Sequence, residues 1–303
     1  MSQFHNSISV VIPLYNHERF IIQALESVYS QSVLPKEIIV VDDGSKDRSL
    51  DIAQKFANSH PEMIVRSHPN QGAHYTINSG IRQASGEFIS ILNSDDTYHP
   101  NRFAECLSLF DANPSLAAVC TSLSFINEKG KSIQNAWYNQ ARAFYDQVND
   151  LSLALINGNF FMTTSNLLVR RAVFDEIGYF SALRYTHDLD FFLRLILRGK
   201  PVGFHDKPLL SYRIHSGNTI GEGVLRVKVE WAASVAFFIY NLWQHQRDWN
   251  YYAKLTEITD RHTLTRLLLY FFAFFQSLPL EQLSCDAFLR DEAFTRFIYR
   301  EVR

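Results

Sequence analysis

The first hundred residues alternate between two hydrophobic periods, and this alternation restricts the fold more than any other feature. Ile8 to Ile12 is a short β-branched run, and helix-like spacing follows from Glu18 to Ser30. Glu37 to Val41 is a second apolar run, and Asp47 to Asn58 then places Ile52, Ala53 and Phe56 on one helical face. Met63 to Arg66 and Glu87 to Leu92 read as a third and fourth strand, with a helix from Tyr75 to Ala84 between them. Pro100 is expected to open the next helix, at a position where a missing amide donor costs little. Strands joined through helices return in the same direction by right-handed crossovers. The expected fold is therefore α/β, an open, doubly wound, mostly parallel sheet.

The pattern changes in the middle of the chain. Leu116 to Ile126 and Lys131 to Trp137 flank Asn127-Glu128-Lys129-Gly130, which reads as a hairpin turn. Ser165 to Val169 and Pro201 to Phe204 are further strand candidates, with a helix from Asp188 to Arg198 between them. From about Glu222 onward the spacing is helical, with aromatic faces in Val229 to Trp243 and Leu264 to Phe275. These patterns place a boundary near residue 220, giving an N-terminal domain over 1–220 and a helical C-terminal region over 221–303.

Charge excludes one class of partner. The chain carries 29 Lys and Arg against 31 Asp and Glu, so no basic field is available to hold nucleic acid through its phosphates. Cys106, Cys120 and Cys285 lack zinc-type spacing and read as reduced thiols of a cytoplasmic protein. Met1 to Ser7 is polar, and no secretory leader is expected. The greasiest stretch, Leu267 to Phe275, is too short to span a bilayer and is expected to be packed core. A dimer face or a peripheral contact at the inner membrane face stays open for it.

In an open parallel sheet, ligands bind beyond the carboxyl ends of the strands. The first strand is followed by Pro13-Leu14-Tyr15-Asn16, the second by Asp42-Asp43-Gly44-Ser45 and the fourth by Asn93-Ser94-Asp95-Asp96. Each cluster taken alone suits a turn or a helix cap. All three on one sheet edge point to a ligand, because adjacent carboxylates repel unless a cation or hydrogen-bond donors satisfy them. No Gly-x-Gly-x-x-Gly follows any strand, and Gly130-Lys131-Ser132 lacks the first glycine of a P-loop, since Phe125 stands there. Acids with few cradling glycines suit a diphosphate held through Mg²⁺ or Mn²⁺. A second acidic group, His187-Asp188-Leu189-Asp190, opens the later helix, where one of the two acids is expected to cap it. On residues alone, a nucleotidyltransferase or phosphohydrolase and an inactive nucleotide- or glycan-binding module remain alternatives.

In chain order, the motifs are Val11-Ile12-Pro13-Leu14-Tyr15-Asn16, Val40-Val41-Asp42-Asp43-Gly44-Ser45, Asn70-Gln71-Gly72, Gly86-Glu87-Phe88-Ile89, Asn93-Ser94-Asp95-Asp96, His187-Asp188 and Tyr212-Arg213-Ile214-His215. Together they resemble the family 2 inverting glycosyltransferases of the GT-A fold, over about residues 8 to 218. The resemblance implies a nucleoside-diphosphate-sugar donor, a UDP-sugar first, with Pro13 and Tyr15 lining a base pocket and Asp43, with Asp42, bonding the base. It places Asn93 and Asp96 near ribose and diphosphate, and counts Asn16, Asn70, Gly72, Asn78 and Ser94 in the same binding set. Asp95 matches the metal-binding acid, His215 a histidine that completes the site, and Asp188 the general base. The implied acceptor is a hydroxyl of a glycan, lipid-linked glycan or protein, in polysaccharide or glycoconjugate synthesis. The family usually carries Asp at position 93 and Glu at position 187, so Asn93 implies a cation held mainly by Asp95.

Overall fold

The structure, a computed structural model, describes residues 7–302. In chain order the elements begin β1 (Ile8–Leu14), α1 (Ile21–Tyr29), β2 (Glu37–Asp42), α2 (Ser49–Ala57), β3 (Met63–Ser67), α3 (Ala73–Gln83) and β4 (Phe88–Ile91). They continue with β5 (Thr97–Tyr98), α4 (Arg102–Ala112), β6 (Ala118–Asn127), β7 (Ser132–Ile133), α5 (Ala136–Val148), α6 (Leu151–Asn157) and β8 (Leu168–Arg170). After these come α7 (Val173–Ile177), α8 (His187–Leu197), β9 (Val202–Ile214), α9 (Val224–His245), α10 (Trp249–Arg261), α11 (Thr265–Ser277) and α12 (Glu292–Glu301).

Two compact units share these elements. The first holds the residues up to Gln134 with Phe161–Phe180 and Lys200–His215; the second holds Asn135–Phe160, Ser181–Gly199 and the chain from Ser216 on. The boundary expected near residue 220 separates the C-terminal helices in sequence, and two earlier segments group with them in space.

The first unit is built on one mixed sheet of order β3-β2-β1-β4-β8-β6-β9-β5, with β7 paired to β6. β3, β2, β1 and β4 run parallel, as the strand–helix alternation requires. β1 lies between β2 and β4, and Val10, Val11 and Ile12 have no exposed surface. Burial on both faces is why β1 reads as a continuous β-branched run rather than an alternating one. Helix α3 packs on β1 and β2 so closely that a Cβ on Gly80 would lie 2.4 Å from Val11 Cγ1. Beyond β4 the ladders to β8 and from β8 to β6 are antiparallel, and the long β6–β9 ladder is parallel again.

The second unit is helical. α9 packs against α8 and α11, and α6 packs against α8 and α10. Leu267, Leu268, Phe271, Phe274 and Phe275 of α11 are buried, so the greasy run is core, although Leu269 on its other face is 62% exposed. Among the described residues no helix is long and apolar enough to cross a membrane.

Several sequence expectations are corrected. α4 begins at Arg102 behind Asn101, and Pro100 precedes the helix, its carbonyl accepting from Ser32 N–H. Of Lys131 to Trp137 only Ser132 and Ile133 pair with β6, while Trp137 lies in α5. Thr164–Asn166 is a 3₁₀ turn, with the strand confined to Leu168–Arg170. Neither Asp188 nor Asp190 caps α8: the cap position is Thr186, and both acids lie in the first turn.

Candidate active site

The carboxyl ends of β1, β2 and β4 lie side by side, because the three strands are parallel neighbours. The β1 cluster joins the loops. Asn16 adopts φ 53°, a left-handed conformation that Asn tolerates, and its side-chain oxygen accepts from Lys46 N–H at 2.7 Å. Ser45 Oγ in turn accepts from Asn16 N–H at 3.0 Å. Pro13 is half-buried and Tyr15 is 43% exposed, an accessible ring at the sheet edge.

The β2 pair is buried and fully engaged. Asp42 accepts from the N–H groups of Gly44 and Ser45 and from Ser67 Oγ at 2.8 Å. Asp43 accepts from Gln71 N–H at 2.7 Å and Gly72 N–H at 3.0 Å. Its second contact fixes Gly72, which has φ 90° and stands at the start of α3. Asn70 is exposed beside this loop. Asn78 is not brought to the others by its side chain: both ends of its buried amide bond the main chain of Phe180, at 2.8 and 3.0 Å.

The β4 cluster is assembled by long-range pairing. Thr97 of β5 pairs antiparallel with Ser211 of β9, and extending that register by two residues sets Asp95 opposite Arg213. Arg213 is almost wholly buried; its Nε donates to the Asp95 carbonyl at 2.6 Å and its backbone N–H to Asp96 Oδ1 at 2.9 Å. The two acids then diverge. Asp96 also accepts from Ser165 Oγ at 2.6 Å, and burial, followed by the Asp95 charge, pushes its carboxyl well above the usual range. Asp95 Oδ2 lies 2.9 Å from His215 Nε2. Burial pushes the Asp95 carboxyl up, but the His215 hydrogen bond and the His17 imidazole outweigh it and hold it below the ordinary value.

His17, which the sequence reading missed, is the third member of this group. One donor atom each from His17, Asp95 and His215 lie within 4.8 Å of one another. The His17 ring meets the His215 ring edge-on at a centroid distance of 5.6 Å, and Ser94 Oγ is 2.8 Å from His17 Nδ1. Burial lowers the His17 pKa, with Asp95 pulling the other way, which favours the neutral imidazole that can ligate. Two imidazoles and a carboxylate are ordinary ligands of divalent cations, so these residues fit a metal. Asn93 does not join them through its amide. Its Nδ2 donates to Thr163 Oγ1 at 2.9 Å, and its Oδ1 accepts from Thr164 Oγ1 at 3.1 Å.

Asp188 is in the second unit. It is buried in the first turn of α8, accepting from Leu189 N–H at 2.8 Å and from Asn159 Nδ2 at 2.9 Å. Burial raises its pKa; the His187 charge and these two donors only moderate the rise. A raised carboxylate is a stronger base once ionised. The loop that leads into α8 is held from afar: Glu230 accepts from the N–H groups of Arg184, Tyr185 and Thr186 at 3.1, 2.6 and 3.3 Å. That residue too was invisible in the sequence.

Comparison with known proteins adds to this geometry. Residues 9–178 match the family described as glycosyl transferase family 2. A Rickettsia typhi protein described as an uncharacterized glycosyltransferase is 30% identical over 220 residues, covering 70% of this chain and 65% of that protein. An Escherichia coli chondroitin synthase is 31% identical over 212 residues, 70% of this chain and 29% of the synthase. The chain therefore spans less than two thirds of the length of these relatives. Among solved structures, residues 1–349 of S. aureus TarS with UDP-GlcNAc align with a TM-score of 0.60 at 19% identity, covering 97% of this chain and 90% of that one. The mannosyltransferase PcManGT from Pyrobaculum calidifontis, with GDP-Man and Mn²⁺, aligns with a TM-score of 0.60 at 16% identity, covering 97% and 82%. These structural likenesses establish the α/β fold.

Proposed function

We propose, from the premise that the chain belongs to glycosyl transferase family 2, that it moves a sugar from a nucleoside-diphosphate-sugar to an acceptor hydroxyl with inversion at the anomeric carbon. The observation that carries this reading is the Asp95–His215–His17 group at the carboxyl edge of parallel strands, where a diphosphate is bound in such sheets. A divalent cation, Mg²⁺ or Mn²⁺, held by Asp95 and His215 would neutralise the charge that grows on the departing nucleoside diphosphate.

The remaining work falls to the chain's own groups. Tyr15 offers an exposed aromatic face on which a nucleobase can stack, and Asp43 keeps the Gln71-Gly72 loop in place beside it. Asp188 takes the acceptor's hydroxyl proton as that oxygen bonds to the anomeric carbon and the bond to the diphosphate oxygen breaks. A single displacement inverts configuration. The solved neighbours with UDP-GlcNAc and GDP-Man support a nucleotide-sugar donor. A UDP-sugar is favoured, and the acceptor belongs to a glycan, a lipid-linked glycan or a protein. In cells the reaction would run on the cytoplasmic side, where nucleotide-sugars are made.

A thermal-shift screen of UDP-, GDP- and dTDP-sugars, with and without Mn²⁺, tests the reading. One donor class should raise the melting temperature by mass action only when the metal is present. No shift with any donor would sink it. Proton NMR of the first product then reads the anomeric configuration, and retention would remove the single displacement.

A further inference from the structure

We propose that His17 is a third protein ligand of the cation, making a two-imidazole, one-carboxylate site that selects a first-row transition ion such as Mn²⁺ over Mg²⁺. This rests on the reading of Asp95 and His215 as the metal-binding pair. Three observations carry the addition of His17.

The first is distance. Ligands about 2.0–2.2 Å from one ion stand roughly 3–4.4 Å apart, depending on the angle between them. The donor atoms of His17, Asp95 and His215 already lie within 4.8 Å of one another, so closing on an ion needs only side-chain adjustment.

The second is preorganisation. His17 N–H donates to Ser49 Oγ at 2.8 Å, and Ser49 Oγ donates to Asp47 Oδ1 at 2.5 Å, fixing the backbone that bears the ring. The ring itself packs edge-on against Phe20, at 5.8 Å between centroids, and against His215. One ring nitrogen is held by a hydroxyl, since Ser94 Oγ sits 2.8 Å from Nδ1. In the tautomer that donates Nδ1–H to Ser94, Nε2 carries the lone pair, which is the arrangement outer-sphere partners impose on metal-binding histidines. Ser94 is also the residue next to Asp95, so ligand and outer partner come from the same turn.

The third is the donor set. Mg²⁺ takes oxygen ligands and gives up water reluctantly, whereas imidazole suits the transition ions. One histidine beside a carboxylate leaves Mg²⁺ acceptable; a second shifts the balance toward Mn²⁺ and its neighbours in the series. Asn93 sharpens this, because its amide is committed to Thr163 and Thr164. A hard oxygen donor is thereby withdrawn where the family usually offers a carboxylate.

The test uses the full chain stripped with EDTA, with Mn²⁺ alone and Mg²⁺ alone as probes. Calorimetry should give Mn²⁺ binding about tenfold or more tighter than Mg²⁺, and His17→Gln should weaken Mn²⁺ by about tenfold while leaving Mg²⁺ little changed. Pulsed EPR of the Mn²⁺ complex should count two coordinated imidazole nitrogens in the wild type and one in His17→Gln. A single imidazole in the wild type, or equal Mn²⁺ affinity in the two proteins, overturns the proposal. Melting both proteins in EDTA separates a ligand effect from a folding defect. If the variant does not fold, ¹⁵N-histidine labelling of the wild type counts the imidazoles directly. Failure of the parent reading is distinguishable: Mn²⁺ held by two imidazoles with no nucleotide-sugar bound would spare His17 and remove the transferase.

Discussion

Asp42-Asp43 and Asp95-Asp96 are the same motif in sequence, two adjacent acids after a parallel strand, and they do different things. The first pair is neutralised from within. Its oxygens collect the N–H groups of Gly44, Ser45, Gln71 and Gly72 and the hydroxyl of Ser67, so its charge is spent on shaping two loops. In the second pair only Asp96 is treated this way, by Arg213 N–H and Ser165. Asp95 is left facing two imidazoles, groups that can exchange a hydrogen bond for a shared cation. Asp95 is therefore the acid of the two pairs proposed to meet a cation, while Asp42 and Asp43 already hold internal donors.

The largest expected effect calibrates that contrast with the acid proposed to take a proton. Asp188→Asn should lower turnover by on the order of 10²–10⁴-fold while leaving donor affinity nearly unchanged. Steady-state kinetics paired with calorimetry of the nucleoside diphosphate would show the split, and a surviving turnover would mean the base lies elsewhere. Asp95→Ala comes next. It should cost on the order of 10²–10³-fold in turnover, and Mn²⁺ should no longer tighten nucleoside diphosphate binding. If the metal still tightens binding, the two pairs do not differ in the way their partners suggest.

Asp43→Asn should reverse the pattern. An amide in place of the carboxylate turns one N–H₂ toward a backbone donor, and leaving Gln71 or Gly72 N–H unsatisfied costs about 1–3 kcal/mol. Urea unfolding should register that loss, with donor binding falling through loosening of the loop. A variant as stable as the wild type would show that Asp43 is held for a ligand rather than for the fold.

Much of this was legible in the sequence, for identifiable reasons. β1, β2 and β4 are buried on both faces, which forces largely apolar runs, and their polar ends fall together on the carboxyl edge of the sheet. Asp95 and Asp188 stood out because clustered acids are costly without partners. What stayed hidden depends on residues far apart in the chain. The resemblance names His215, but the register that brings it to Asp95 across 120 positions runs through a two-residue strand, β5, too short to leave a pattern. Glu230 serves N–H groups at 184–186 from another helix, and no local period records that. The partners of Asn93 were hidden in the same way: the resemblance sets it near ribose and diphosphate, and its amide bonds Thr163 and Thr164, some 70 positions away. His17 left only its place, three residues past the end of β1, as a signal.

The smallest effect is also the most specific to Asp188. Burial holds its pKa above the ordinary 3.8, and the donors from Leu189 and Asn159 pull it back. A base must be ionised, so the acid limb of the rate profile should lie above that of an exposed aspartate, and Asn159→Ala should move it further up. The sign for stability follows from the same shift. An acid whose folded pKa is raised stabilises the fold fully below about 3.8, and that contribution is lost as pH rises through the folded value. Asparagine mimics the protonated acid and does not titrate. Asp188→Asn should therefore melt no lower than the wild type at neutral pH, with any advantage shrinking as pH falls. Melting curves across pH 3–8 check this, and an advantage that grows toward acid would place a depressed, ion-paired carboxylate at Asp188 instead of a poised base.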